Sequence, residues 1–186
     1  MPLFINPAAR QQDAYIPLKA NIDDMVNCTT ELEEDLKYVV EDGETFGLLS
    51  TDTYLENAPQ IIKNLERISS LLLNSVQDLT FDDEAFDLAD SNLLALVLYS
   101  FLNEHRRAIA VLATQHKTLK TTGPLFDSVG RCLDTERRAL DRFRAAIEAR
   151  YHEIKERTAG DWENFNSAMS EATSVYPAPT MIMVDV

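Results

Sequence analysis

The sequence predicts an all-α protein, an antiparallel four-helix bundle with an extended N-terminal arm and an extended C-terminal tail. Three observations favour helices: only five of the 186 residues are glycine, strong helix formers are common, and apolar residues recur at alternating three- and four-residue steps. The length fits a single domain, residues 1–186, that is large enough to bury a core.

The N-terminal part predicts an arm followed by a first helix. Residues 1–16 contain Pro2 and Pro7 and lack a helical period, which predicts an extended arm. Pro17 then stands where a first-turn proline belongs, and Gly43 is a typical C-terminal stop. The helix between them carries an apolar seam with the spacing of a bundle: Leu18, Ile22, Met25, Thr29, Leu32, Leu36 and Val39.

Two polar segments flank the predicted second helix. Residues 44–57 form a connector, and Pro59 predicts the start of a helix whose seam comprises Ile61, Leu65, Ile68, Leu72 and Val76. Residues 78–90 hold six acids and no base, and their alternation of polar and large apolar residues predicts a short extended segment. We interpret this acidic segment either as a solubilising connector or as a surface that docks on arginines of another subunit.

The second half of the chain predicts two further long helices. The third begins at Asp90 or Ser91, and its first half, LLALVLYSFL, is apolar nearly all round, which predicts burial on several sides. The turn TTGP at 121–124 leads to a fourth helix with an apolar stripe from Val129 to Ile154 and a stop at Gly160. A short amphipathic helix with core residues Trp162, Phe165 and Met169 follows, and residues 175–186 predict an extended tail.

The charge is divided unevenly along the chain. Residues 1–90 hold 19 acids and 5 bases, which accounts for the whole net charge of −14, whereas residues 91–186 hold 12 of each. Overall acidity disfavours non-specific adhesion to nucleic acid or anionic lipid, so a phosphate-binding surface must be local. The sequence shows no signal peptide and no apolar run that spans a bilayer, which predicts a soluble, cytosolic protein without a membrane partner.

The sequence carries no catalytic or metal-binding signature. Leucine or alanine, not glutamate, stands three residues before His105, His116 and His152, so the Glu-x-x-His pattern of di-metal bundles is missing. No phosphate-binding glycine loop, nucleophile elbow or zinc motif occurs. We therefore expect no enzyme, no catalytic residues, no metal and no cofactor. Cys28 and Cys132 are expected to be small buried hydrophobic residues.

Eight bases lie between Arg131 and Arg157, and they permit two interpretations. Four-residue spacings such as Asp134–Arg138 and Arg144–Glu148 are typical of a solvated face with helical ion pairs. Alternatively, one strip of arginines binds phosphates or the acidic surface of a neighbouring copy. Arg106 and Arg107, at the end of the third helix, favour this second interpretation.

Three stretches resemble the coat proteins of rod-shaped plant RNA viruses of the tobacco mosaic virus type. DLTFDDEAFDLADSNLLALVLYSFLNEHRR resembles their β-like aromatic segment, third helix and arginine-bearing helix end. LDTERRALDRFRAAIEARY resembles their fourth helix, and ERTAGDWENFNSAMSEATSVYPAPT their closing part. The resemblance implies a four-helix capsid subunit that assembles with copies of itself into a helical rod around single-stranded RNA, in the virion and the host cytoplasm.

The resemblance also implies functional residues. By position, RNA would be bound by Arg106, Arg107, Arg131, Arg137 and Arg138, and Glu66 and Asp90 would be inter-subunit carboxylates that switch assembly. The alternative function, from the acidity of the chain, is a cytosolic helical adaptor or inhibitor whose acidic surface binds a basic partner.

Overall fold

The computed structural model describes residues 7–44, 51–81, 88–120 and 123–177, and nearly all of them are helical. The prediction of an all-α protein is therefore confirmed. The described residues form five long helices and one short one: α1 (Pro7–Glu44), α2 (Thr51–Phe81), α3 (Leu88–Thr114), α4 (His116–Lys120), α5 (Pro124–Arg150) and α6 (His152–Val175).

The five long helices pack as a closed ring. Going round it, α1 packs against α2, α2 against α5, α5 against α6, α6 against α3, and α3 against α1. Helices α1 and α2 are antiparallel, because Asn21 donates to Asp78 at 3.0 Å and Asn64 donates to Asp35 at 3.1 Å. This order places α3 and α5 on opposite sides of a shared interior.

The predicted seams of α1 and α2 form the core. The predicted seam residues of these helices are at most 1% exposed wherever their side chains are described. The exception is Val76, which is half-buried. Full burial of one such side chain contributes about 1.5–3 kcal/mol, so this set dominates the stability of the ring. The polar member of the α1 seam, Thr29, is buried with the rest.

The predicted starts of the first two helices are wrong, whereas the stop predicted at Gly43 lies within one residue of the observed end of α1. Residues 7–16 form the start of α1 rather than an extended arm, and residues 51–57 belong to α2 rather than to a connector. Pro17 and Pro59 consequently lie inside helices. Both prolines are exposed, so water can bond the carbonyl that each leaves without an N–H donor. Residues 1–6 and 45–50 lie outside the described part of the chain.

The prediction of an extended acidic segment at 78–90 is wrong at both ends. Residues 78–81 continue α2, because Leu79 extends its buried seam and Asp78 accepts the hydrogen bond from Asn21. Residues 88–90 already belong to α3. Residues 82–87 of this segment lie outside the described residues.

Helix α3 differs from the prediction in how much of its surface it buries. Leu94, Leu98 and Phe101 lie in the core, but Leu93 and Leu96 face outward with exposed fractions of 43% and 65%. The cause is the ring, since α3 has two principal neighbours, α1 and α6, and its remaining side has none among the described helices. The helix ends at Thr114, and α4 follows after Gln115.

The predicted fourth helix is divided at Tyr151, so the described residues form five long helices rather than the predicted four. Tyr151 is not helical (φ −123°, ψ 81°), and the chain reverses there, since the Arg144 guanidinium of α5 lies 5.6 Å from the ring centroid of Trp162 in α6. The predicted stop at Gly160 is also wrong, because α6 continues through it to Val175.

The end of α6 closes the far side of the ring. The Tyr176 hydroxyl donates to the Leu112 carbonyl of α3 at 2.8 Å, and its ring packs on Phe126 of α5. The chain passes so close to α5 here that a β-carbon on Gly130 would lie 3.0 Å from the Tyr176 carbonyl oxygen. Val175, the first residue of the predicted extended tail, is helical, and residues 178–186 of that tail lie outside the described chain.

Candidate functional site

The two predicted RNA-binding arginines of α3 differ in their surroundings. Arg107 is exposed, and its Nε lies 3.6 Å from Oε1 of Glu33 on α1. Arg106 is half-buried, and its Nε is buried without a hydrogen-bond partner in the described chain. Arg107 thus presents its guanidinium to solvent beside α1, whereas part of the Arg106 guanidinium is held in the protein.

The three predicted arginines of α5 differ in their surroundings. Arg138 is exposed and pairs with Asp134 at 2.5 Å, as the four-residue spacing predicted. Arg137 lines a groove of about 300 Å³ between α5 and α6, and Arg131 faces α2 instead. Because α3 and α5 are not neighbours in the ring, the two arginines of α3 and the three of α5 are separated on a single chain by at least one other helix.

Glu66, one of the predicted inter-subunit carboxylates, meets one of these arginines across a groove. This α2–α5 groove is lined by Ile62, Glu66 and Ser69 of α2 and by Ser128, Arg131 and Cys132 of α5, with a volume of about 440 Å³. The second predicted carboxylate, Asp90, lies in the first turn of α3, and its side chain is not among the described ones.

Cys132 lies on the wall of the α2–α5 groove and is only 8% exposed. Burial raises the pKa of its thiol to about 11, and the nearby carboxylates of Glu66 and Glu136 add to this shift. Cys28, in α1, is fully buried, and burial likewise raises its thiol pKa. Both cysteines are free thiols, and their predicted burial is confirmed. Each is a protonated thiol at neutral pH, which makes it a poor nucleophile.

A polar cluster lies in the centre of the ring and joins three helices. His105 of α3 lies 3.1 Å through Nδ1 from the Thr29 hydroxyl of α1, and its Nε2 is hydrogen-bonded to Oε1 of Glu136 on α5. All three side chains have 0% exposure. The contact between His105 and Glu136 spans the interior between two helices that are not neighbours in the ring.

Aromatic rings enclose the His105 imidazole on two sides. Phe101 stacks on it at 5.3 Å between centroids, and Phe165 stacks on it at 5.6 Å, with interplanar angles of 12° and 17°. Trp162 packs edge-on against Phe165, and Arg144 lies over the Trp162 ring. The imidazole therefore has a fixed plane as well as two fixed hydrogen-bond partners.

A hydroxyl, an imidazole and a carboxylate in this order resemble the groups of an acyl-transfer relay. Such a relay requires the hydroxyl to reach a substrate, and Thr29 is fully buried under α1 and α3. In this conformation the Thr29–His105–Glu136 cluster is a structural link between helices. Oε2 of Glu136 has no hydrogen-bond partner in the described chain, so the link depends on His105.

Glu136 is the residue of this cluster that sequence reasoning missed. It occupies the seam between Leu133 and Leu140, at three- and four-residue steps, and His105 continues the α3 seam from Leu98 in the same way. A charged residue at a seam position is the signal that was available, because a buried charge requires a partner from another seam. The position of Glu136 along α5 does not show, however, that His105 of α3 is its partner.

Comparison with known proteins adds no relative: the chain matches no family model, and neither a curated protein nor a solved structure is significantly similar to it.

Two further properties of the described residues bear on function. None of the described helices combines the length and the apolarity that crossing a membrane requires. Among the same residues, histidine, cysteine and acidic side chains do not gather in threes as metal ligands would.

Proposed function

We propose that the protein is a non-enzymatic structural subunit that associates with copies of itself and packages single-stranded RNA in a helical capsid. Its site of action would then be the virion and the host cytoplasm. The observation that carries the self-association is the distribution of exposed apolar side chains. Among the described side chains, the large hydrophobic residues that are exposed all lie on α3.

Three of them form what we call the α3 strip: Leu93, Leu96 and Tyr99, with exposed fractions of 43%, 65% and 52%. Their three-residue spacing places them along one side of the helix. An apolar side of a helix in a monomer is costly in water, and contact with a second copy would remove it from solvent. Because the strip repeats in every copy, it can pack against a different surface of the next copy, which is the head-to-tail contact that a helical assembly requires.

The RNA-binding part of the proposal rests on arginines that remain accessible. Arg107 and Arg138 are 62% and 72% exposed, and Arg137 lies at the edge of a groove. Since these residues lie on different sides of one chain, a continuous arginine surface would form only between neighbouring copies. Binding through such contacts would be mainly to phosphates, largely independent of base sequence, and sensitive to salt.

Sedimentation velocity over a range of protein concentrations tests the self-association. The wild type is expected to form oligomers, and Leu96→Glu is expected to shift it to monomer, because a charge would be buried at the contact. Ser167→Glu adds the same charge at an exposed position of α6 and should leave the oligomer intact. A wild type that remains monomeric, or a Leu96→Glu variant that associates normally, would contradict the proposal.

Binding of single-stranded RNA is tested separately by fluorescence anisotropy with a labelled oligonucleotide at several salt concentrations. Arg107→Ala is expected to weaken binding and to reduce the dependence on salt by about one phosphate contact. The variant should still self-associate. Equal affinity and salt dependence in wild type and variant would exclude Arg107 from the RNA surface.

A specific observation also favours the alternative, an acidic adaptor for a basic partner. Asp24, Glu31 and Glu34 are exposed on α1, at spacings that place them on one side of the helix. None of them pairs with a base among the described side chains. Salt-sensitive binding of the monomer to polylysine, lost when these three residues are changed to Gln, would support the adaptor and not the capsid subunit.

A further inference from the structure

The α2–α5 groove has the size and the wall chemistry of a small-ligand site. Its volume of about 440 Å³ lies within the range of roughly 300–1,000 Å³ that is usual for organic ligands. Glu66 stands on the α2 wall and Arg131 on the α5 wall, while Ile62 and Leu73 supply apolar surface. The groove is thus bordered by opposite charges, with one aliphatic side chain toward each end of its α2 wall.

The two charges face the groove and do not neutralise each other directly. Nη2 of Arg131 donates to the Ser128 hydroxyl at 2.9 Å, which fixes one side of the guanidinium and leaves its other N–H groups available. Glu66 and Arg131 shift the pKa of the Cys132 thiol in opposite directions, so both lie close to the same point on the groove wall. A guanidinium held in this way can bind a carboxylate through two hydrogen bonds.

The hydroxyl groups around the groove favour a hydrogen-bond donor as ligand. Ser70 donates to the Glu66 carbonyl, Ser128 to the Pro124 carbonyl and Thr135 to the Arg131 carbonyl, each at 2.9 Å. Because these protons are engaged within the helices, the three oxygens can only accept further hydrogen bonds. Together with the Glu66 carboxylate they form a wall of acceptors, which suits an ammonium group.

Ser69 provides a second, independent indication of a ligand. Its side chain lines the groove and is only 5% exposed, and its hydroxyl oxygen is buried without a hydrogen-bond partner in the described chain. Buried hydroxyl groups in folded proteins are normally hydrogen-bonded. Rotation of the Ser69 side chain toward the groove would allow a polar ligand to supply the missing partner.

We propose that the α2–α5 groove binds a free amino acid with an aliphatic side chain. The ligand carboxylate is bound by Arg131, and its ammonium group by Glu66 together with the neighbouring Ser70 hydroxyl oxygen. Its aliphatic part lies against Ile62, one helical turn from Glu66. This site is separate from the α3 strip and from Arg107, Arg137 and Arg138, on which the proposed function is argued, so the two proposals can fail separately.

Titrations followed by amide ¹H–¹⁵N NMR test the ligand class with three matched probes. L-Leucine carries both charges, isoamylamine lacks the carboxylate, and 4-methylpentanoate lacks the ammonium group. We expect L-leucine to bind at least tenfold more tightly than either, with the largest shifts at groove residues. No binding of L-leucine, or equal binding of the three probes, would overturn the proposal. Tighter binding of the dipeptide Gly-Leu would overturn the assignment to a free amino acid.

Variants of the two charged residues test the binding mode. Arg131→Gln and Glu66→Gln, at exposed positions, should each weaken L-leucine binding at least tenfold. Arg131→Lys keeps the charge but not the paired donors and should give an intermediate affinity. Arg142→Gln removes an exposed arginine elsewhere on α5 and should bind like the wild type. Wild-type affinity in Arg131→Gln, or equal losses in Arg131→Gln and Arg142→Gln, would contradict the proposal.

Discussion

His105 and Glu136 are hydrogen-bonded across the interior of the ring, and they connect two helices that have no extensive direct packing. The contact is completely shielded from solvent, with Phe101 and Phe165 on the two faces of the imidazole. Thr29 extends it to a third helix. One polar cluster thereby fixes the relative rotation of α1, α3 and α5, because apolar contacts alone are not directional.

Removing one partner of this contact should destabilise the fold strongly. We expect Glu136→Ala to lower the free energy of unfolding by about 3–5 kcal/mol, because it leaves a cavity and a buried imidazole without its partner. Urea denaturation followed by circular dichroism measures the loss. A loss below about 1 kcal/mol would show that the contact contributes little.

Replacing both partners provides the matched control. The double variant His105→Phe, Glu136→Met keeps an aromatic ring between the two phenylalanines and removes both polar groups, so we expect stability within about 1.5 kcal/mol of the wild type. Thr29 can then donate to its own helix, as Thr158 does to the Ile154 carbonyl. If the loss of stability in the double variant equals the sum of the losses in the two single variants, His105 and Glu136 are not energetically coupled and the interpretation is contradicted.

Two glycines test how closely the end of α6 packs on α5. A β-carbon on Gly130 would lie 3.0 Å from the Tyr176 carbonyl oxygen and 3.1 Å from that of Pro177, whereas one on Gly160 meets nothing within 4 Å. Gly130→Ala should therefore cost about 1–3 kcal/mol despite the gain in helix propensity. Gly160→Ala should stabilise the protein by up to about 1 kcal/mol. Thermal unfolding measures the change in stability of each variant. If both substitutions stabilise the protein, or both destabilise it, the close approach of Tyr176 and Pro177 to Gly130 is refuted.

The raised pKa of Cys132 predicts an unreactive thiol. With a pKa of about 11, roughly one thiol in a thousand is ionised at pH 8, so a Cys28→Ala variant should react with Ellman's reagent about 100-fold more slowly than free cysteine. The rate should rise about tenfold per pH unit toward pH 11. A rate close to that of free cysteine at pH 8 is incompatible with the buried thiol.

The same shift predicts how stability depends on alkaline pH. Because the folded pKa lies above the ordinary value of 9.0, the unfolded chain loses the thiol proton first as the pH rises. The contribution of the protonated Cys132 thiol to the free energy of unfolding is fully present below pH 9 and is lost as the pH rises from 9 to 11. Cys132→Ala should make this decline in the free energy of unfolding smaller, and an unchanged decline would contradict the assignment.

The sequence predicted the helical class and the core of the first two helices because apolar spacing directly reflects burial. The seam from Leu18 to Leu36 is buried as predicted. The same spacing could not locate the reversal at Tyr151, since Ile147 and Ile154 are seven residues apart and remain buried whether the helix continues or turns back. No glycine or proline marks this turn. The interpretation of one long fourth helix followed from that ambiguity.

Partners across the ring were also beyond the reach of sequence spacing. The four-residue pairs of Arg138 and Arg144 were predictable, and both form with Asp134 and Glu148. The link between His105 and Glu136 depends on which helices face each other, which no single helix determines. The α3 strip was missed for the same reason, because an apolar helix gives no indication of how many neighbours it has.

Self-association through α3 is the central claim, and negative-stain electron microscopy of the purified protein, taken from pH 8 to pH 5 with and without single-stranded RNA, tests it most directly. Acid should promote assembly by reducing charge repulsion, and Asp35 is one carboxyl whose pKa is raised by burial and by the neighbouring Glu31 and Glu34. The account predicts discs or rods at low pH for the wild type and none for Leu96→Glu. A wild type that remains strictly monomeric throughout this range, with or without RNA, would contradict it.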